Sequence, residues 1–326
     1  MLPHYPDASM DGSLLLAVLG IVLGLGLLVV ASDAFVIGAA RIAAHLRLSA
    51  VVIGAVVIGF GTSLPELLVS GLAGLEGSID IAIANIIGSN IANVTLVLGA
   101  GALVAPIVVN APVLKREAPL AIVAVVAFGL VVRGGVSRWE ALLLAGLLAA
   151  TLTVIVVAAR REDATLSAEV AEFLADGPPS MRKESVRTFL GLAGTLAGAQ
   201  VLVSSALTIA ERSNLSQGFV GLTVVAIGTS LPELATALQS ARRGETDLVV
   251  GNLLGSNIFN ALAVGASAVA AGAGQVASPA LLGLGVGAMI ATAVVATAFM
   301  ITGNRVSRTE GVMLVAGYLA ILPLLR

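Results

Sequence analysis

The hexapeptide Gly61-Thr62-Ser63-Leu64-Pro65-Glu66 lies inside an apolar run long enough to cross a bilayer, and it recurs unchanged as Gly228-Thr229-Ser230-Leu231-Pro232-Glu233. A carboxylate in such a run costs at least ~2.5–3.5 kcal/mol and almost always faces a protein interior or a partner group. Pro65 and Pro232 each remove the helical hydrogen bond to the carbonyl four residues earlier, Gly61 and Gly228, and predict a kink. Carbonyls freed at that depth are tolerated only where they line protein or a water-filled cavity. A chain that builds this costly segment twice must fold so that both copies reach a shared interior.

Composition sets the class. Hydrophobic residues make up 58% of the chain and charged residues 11%, against roughly a quarter charged in soluble domains. Ten apolar runs of about the 20 residues a bilayer core requires fall near 13–39, 49–74, 80–104, 117–132, 139–159, 187–210, 216–241, 247–272, 277–302 and 310–325. Period-2 alternation is absent, which excludes a membrane β-barrel. The reading is an all-α polytopic membrane protein with ten transmembrane helices. No Lys or Arg occurs in the first twelve residues, so the first run is expected to be a retained helix rather than a cleaved signal.

With the N-terminus outside, thirteen Lys and Arg fall on the cytoplasmic side and four on the external side: Arg133, Arg138, Arg212 and Arg326. This bias orients the chain, with both termini outside and the loop 160–186 in the cytoplasm, most simply at the plasma membrane. That loop is polar, contains Gly177-Pro178-Pro179, and leaves room for a short helix around Ser167–Ala175 but not for a folded regulatory domain. Cysteine is absent and the two histidines are His4 and His45. Thiolate and imidazole metal sites and a histidine-based catalytic triad are therefore excluded.

Shifted by 167 residues, the chain overlays itself without a gap. Positions 54–93 match 221–260 at seventeen of forty positions, concentrated in Gly-Thr-Ser-Leu-Pro-Glu-Leu and Gly-Ser-Asn-Ile-x-Asn. Each copy carries five spans, an odd number, so the second enters the membrane from the opposite side. This predicts two inverted-topology five-helix repeats: 1–159, with its duplicated block at about 54–99, then the linker 160–186, then 187–326, with its block at about 221–266.

The repeat aligns the polar residues as well. Glu66 matches Glu233, Thr62 and Ser63 match Thr229 and Ser230, and Ser89 and Asn93 match Ser256 and Asn260. Thr62 stands four residues before Glu66, on the same helical face, and Asn85, Ser89 and Asn93 form a stripe with the same spacing. We read Glu66 and Glu233 as two halves of one cation site. For Asn85, Asn90, Asn252 and Asn257, ligation and helix-to-helix hydrogen bonding both stand. An all-oxygen site selects hard cations, and Ca²⁺ takes six to eight oxygens. The same two carboxylates are also suited to monovalent ions or protons. Asp33 aligns with Gln200, outside the duplicated set, and is assigned a structural or interfacial role.

The paired blocks resemble the α-repeats of the sodium/calcium exchanger family, within the cation/Ca²⁺ antiporter superfamily, in a short prokaryotic-type form without regulatory domains. The resemblance implies a core of spans 2, 3, 7 and 8, with spans 1 and 6 sliding across it. It implies Ca²⁺ ligation by Glu66, Glu233 and the carbonyls of Thr62 and Thr229. One flanking Na⁺ site would use Gly59, Thr62, Ser63, Glu66 and Ser89. Its mirror would use Ala226, Thr229, Ser230, Glu233 and Ser256, with Asn93 and Asn260 facing the centre.

The chain departs from the family in two places: Asn260 stands where many exchangers carry an aspartate, and Ala84 stands where the second copy has Gly251. The implied function is a secondary antiporter exchanging Na⁺ for Ca²⁺ by alternating access, with no cofactor, no nucleic acid and no protein partner beyond the lipid bilayer. Proton-coupled exchange of Ca²⁺ or another divalent cation is the alternative on the same fold, and a passive cation channel is a weaker one. An intramembrane enzyme is disfavoured because Ser63 and Ser230 have no His or Lys base near in sequence.

Overall fold

The computed structural model describes residues 12–45, 61, 63–109, 111–161, 180–213, 215–244, 246–272, 276 and 278–325. They are almost entirely helical: α1 Gly12–His45, α2 Leu64–Leu75, α3 Ile79–Val104, α4 Ala111–Gly134, α5 Arg138–Arg161, α6 Met181–Arg212, α7 Gln217–Thr229 and α8 Leu231–Arg243. Then α9 runs through Thr246–Phe259, Asn260–Val264 and Gly265–Ala271, α10 covers Leu281–Ile301, and α11 covers Arg308–Ile321. Among the described residues, seven helices are long and apolar enough to cross a membrane, and eight if α7 and α8 count as one bent span. Of the second apolar run, α2 represents the later part; Gly59 and Thr62 lie outside the described residues, as does the short helix expected around Ser167–Ala175.

The seventh run is broken rather than smoothly kinked. Helix α7 ends at Thr229, Ser230 sits at φ −86° and ψ 8°, and α8 restarts at Leu231 with an angle of 41° between the two. Ser63 has nearly the same geometry before α2, at φ −88° and ψ 11°. The break falls on the serine, and Pro65 and Pro232 sit in the first turn of the following helix. There a missing N–H costs nothing and the fixed φ is already helical.

Helices α3 and α9 form the centre. Ile81, Ile83, Ile86, Ile87, Asn85, Ser89 and Asn93 of α3 have no exposed surface. Against α3 pack α8, α10 and α11; against α9 pack α2, α4 and α5. These two sets are equivalent under the 167-residue repeat and come from the opposite half of the chain; within its own half, α3 also packs on α2 and α9 on α8. The apolar residues of α1, α5 and α6 that stay exposed, such as Leu16, Leu23, Leu142, Leu143 and Phe189, form the outer surface expected to face lipid. A short antiparallel ladder, β1 Ile107–Val108 with β2 Arg305–Val306, ties the segment after α3 to the segment after α10.

Helices α1 and α6 lie along one another. A Cβ on Gly191 would come within 2.5 Å of the Phe35 backbone nitrogen, and one on Gly198 within 2.9 Å of that of Leu28. The seam requires residues without side chains at these two positions. Its end is closed by charge. Arg41 Nε lies 3.0 Å from Glu184 Oε1, and Arg187 Nη1 lies 3.0 Å from Glu184 Oε2. Arg41 and Glu184 are buried, whereas the Arg187 side chain is 28% exposed.

The sequence reading placed Arg41 in a loop and Glu184 in the linker. Both belong to helices, because α1 continues to His45 and α6 begins at Met181. Removing one partner of a buried pair costs about 3–5 kcal/mol, and an exposed one about 1 kcal/mol or less. Glu184→Ala should therefore lower the thermal unfolding midpoint in detergent far more than Arg187→Ala; equal shifts would contradict the buried assignment of Arg41.

Candidate functional site

Five helices converge on one buried polar cluster: α2 with α3 from the first half, and α7, α8 and α9 from the second. The helix breaks set up its geometry. Because α2 and α8 restart just before their prolines, Glu66 and Glu233 fall in first turns. There the N-terminal end of the helix dipole favours negative charge. Neither glutamate has any exposed surface.

The contacts cross between the two halves. Ser230 donates from its hydroxyl to Glu66 Oε1 at 3.2 Å. Thr229 Oγ1 donates to Asn85 Oδ1 at 3.2 Å and lies 3.5 Å from Ser89 Oγ. Asn93 Nδ2 donates to Asn257 Oδ1 at 3.1 Å, and Asn257 Nδ2 donates to the Asn90 carbonyl at 3.3 Å. The sequence reading could not choose between ligation and helix-to-helix bonding for the four asparagines. The structure shows that Asn85 and Asn257 bond across helices and that Asn90 bonds back to the Ile86 carbonyl at 2.8 Å.

Among the described residues, several buried polar atoms find no hydrogen-bond partner: Glu66 Oε2, both oxygens of Glu233, Ser63 Oγ, Ser256 Oγ, Asn93 Oδ1 and both side-chain atoms of Asn260. Leaving such groups unsatisfied in a core costs about 1–3 kcal/mol each, more when charged. Their concentration in one place is therefore an unlikely product of packing alone. Ser256 lies beside Glu233 and Thr229 beside Glu66. The recorded ion pairs among the described residues do not involve either glutamate. Nor is there, among the described residues, a group of three or more His, Cys, Asp or Glu suited to a metal. Any cation held here would meet two carboxylates and neutral oxygens.

Of the residues singled out in the sequence, Glu66, Glu233, Ser63, Ser230, Thr229, Ser89, Ser256, Asn93 and Asn260 are buried in this cluster, and Ala226 lies at its edge with no exposed surface. Asp33 is outside it, within the field of Arg187. What sequence reasoning missed are four widened turns among the described residues, at Asn93–Val97, Gly221–Val225, Asn260–Val264 and Leu281–Gly285, two of which start on the candidate site asparagines. Such single turns recur at functional sites. The signal available beforehand was only the equivalence of Asn93 and Asn260 in the repeat.

A carboxylate pair buried in a helical membrane core is suited to holding a cation, and the proteins this chain resembles are cation transporters. A family model described as sodium/calcium exchanger protein matches residues 16–157 and 185–325. The sodium/calcium exchanger MaX1 of Methanosarcina acetivorans is 32% identical, with 94% of this chain and 97% of that protein covered. The putative antiporter CaxA of Alkalimonas amylolytica is 41% identical, with 77% of this chain and 79% of its own length covered. A solved structure of the sodium-calcium exchanger NCX_Mj, soaked with Na⁺ and Ca²⁺, superposes with a TM-score of 0.67 at 31% identity, covering 95% of this chain and 99% of that one. The chain belongs to the sodium/calcium exchanger family.

The site depends on a close crossing of α3 and α7. A Cβ on Gly88 would sit 2.5 Å from Ala226 Cβ and 2.7 Å from the Leu222 carbonyl oxygen; one on Gly221 would sit 2.9 Å from the Ile81 carbonyl oxygen. Gly88→Ala should force α3 away from α7, separate Ser89 from Thr229 and sharply reduce ion flux in reconstituted vesicles. Gly146→Ala, in α5, meets nothing within 4 Å and should leave flux unchanged. Equal flux in both variants would show that the crossing tolerates displacement.

Proposed function

We propose that this protein exchanges Na⁺ for Ca²⁺ across the membrane by alternating access, with both ions competing for one site between Glu66 and Glu233. The observation that carries the proposal is the buried carboxylate pair. The two glutamates come from duplicated segments, share one polar cluster, and among the described residues keep three acceptor oxygens without partners. A divalent cation neutralises both charges at once and satisfies those acceptors with the hard oxygen ligands it prefers. Replacing it by Na⁺ at the same oxygens couples the inward movement of one ion to the outward movement of the other. The names of MaX1 and NCX_Mj as sodium/calcium exchangers support the same coupling pair.

In this reading Glu66, Glu233 and the carbonyls of Thr62 and Thr229 hold Ca²⁺. Ser63, Ser89, Ser230, Ser256, Gly59 and Ala226 complete flanking Na⁺ sites, and Asn93 and Asn260 face the centre. The frame is two inverted-topology five-helix repeats, the second entered at Met181 where α6 begins rather than at 187, joined by the polar linker that precedes it. The matching sets of neighbours around α3 and α9 support that frame. The termini lie outside and the linker in the cytoplasm of a plasma-membrane protein. The β1–β2 ladder is consistent with this, because it brings together two segments that the charge bias places on the cytoplasmic side.

The test is Ca²⁺ uptake into proteoliposomes loaded with Na⁺ or with K⁺, with and without a pH gradient. Uptake that requires internal Na⁺ is the expected result. Uptake driven by a pH gradient in K⁺-loaded vesicles would overturn sodium coupling and assign the coupling role to protons.

A further inference from the structure

One chain of hydrogen bonds beside the site rests on a serine that the repeat does not duplicate. Ser70 of α2, Asn85 of α3 and Thr229 of α7 are buried, with 0%, 0% and 1% of their surface exposed. Asn85 Nδ2 donates to Ser70 Oγ at 2.9 Å, and Asn85 Oδ1 accepts from Thr229 Oγ1 at 3.2 Å. In the repeat, Asn252 corresponds to Asn85, but Ala237 stands where Ser70 would be. Among the described residues, Asn252 Nδ2 has no hydrogen-bond partner. The duplicated halves therefore share the asparagine and differ in what anchors it.

The anchor matters because a threonine hydroxyl has one proton and several acceptors within reach. The Thr229 hydroxyl can turn to Asn85 Oδ1 at 3.2 Å, to the Ala226 carbonyl at 3.3 Å, or towards the neighbouring Glu66 carboxylate. A proton donated to Glu66 would occupy a carboxylate lone pair that a cation needs. An amide with its NH₂ engaged by Ser70 must present its oxygen at the other end, and that oxygen draws the Thr229 proton away from Glu66.

We infer that Ser70 and Asn85 are positioning residues: by fixing the Thr229 hydroxyl they keep Glu66 Oε2 and the Thr229 lone pairs turned towards the transported cation. The inference rests on the cation site proposed above and adds to it two residues that touch no ion. Ser70 acts through Asn85, and Asn85 acts through Thr229. The second half of the protein lacks the equivalent anchor, so the arrangement of hydroxyls around the two glutamates is unequal by construction.

The test is equilibrium Ca²⁺ binding to detergent-purified full-length protein, for wild type, Ser70→Ala, Thr229→Val and the double variant, with thermal unfolding in parallel. Ser70→Ala should raise the Ca²⁺ dissociation constant about fivefold, the worth of one buried hydrogen bond. In the Thr229→Val background the same change should alter it less than about twofold, because no hydroxyl is left to orient. Three results would overturn the inference. The first is wild-type affinity in Ser70→Ala, as when the hydroxyl turns to the Ala226 carbonyl instead. The second is an equal loss in both backgrounds, and the third a lowered unfolding midpoint with unchanged affinity, which marks a packing role. Binding is measured without a gradient, so the identity of the coupling ion does not affect it. A wild-type protein that binds no Ca²⁺ would strike instead at the proposed exchange function.

Discussion

Two carboxylates buried in one polar cluster, without a basic partner among the described residues, are the constraint on which the structure turns. Removing one such charge from water costs several kcal/mol even after relaxation, and two of like sign add repulsion that low dielectric strengthens. The fold meets part of this cost with local polarity. Both glutamates sit in first helical turns, Ser230 donates to Glu66, and hydroxyls and amides from five helices fill the remaining space. It leaves the rest open, as Glu233 has no hydrogen-bond partner among the described residues for either oxygen. A mobile cation that can be exchanged for another is the chemical species that fits such a site.

The architecture follows from that need. The breaks at Ser63 and Ser230 aim two helix starts inward. The close approach at Gly88 and Gly221 brings α3 against α7, so that Ser89 and Asn85 meet Thr229. The polar contacts then run between halves rather than within them: Ser230 to Glu66, Thr229 to Asn85, Asn93 to Asn257. A small relative displacement of the halves would break several of these at once, which links the state of the site to the arrangement of the helices around it. Outside this core, α1 and α6 form a tightly seamed pair closed by the Arg41–Glu184–Arg187 charges.

The glutamates, the duplicated serines and asparagines, and the helical membrane class were legible in the sequence. A charge in an apolar run has no bland location, and an unbroken hexapeptide repeat fixes which residues correspond. The prolines predict a kink, and the structure sharpens it to a break at Ser63 and Ser230, between each proline and the glycine carbonyl it frees. Proline signals a disrupted helix, but the first-turn preference that moves the disruption to Ser63 and Ser230 depends on the helix restarting, which periodicity does not reveal. The pairing of Arg41 with Glu184 was hidden because both lie at the ends of polar stretches that read as loops. The bonds of Asn85 and Asn257 depend on how closely α3, α7 and α9 cross, and the glycine spacing does not specify that distance.

The most direct test of a single site shared by Glu66 and Glu233 is the stoichiometry of equilibrium Ca²⁺ binding to the purified protein and to Glu66→Gln and Glu233→Gln. The account predicts one Ca²⁺ per wild-type chain and its loss in each variant alone, because either substitution removes half of the neutralising charge. Two bound ions in the wild type, or undiminished affinity in either variant, would contradict it.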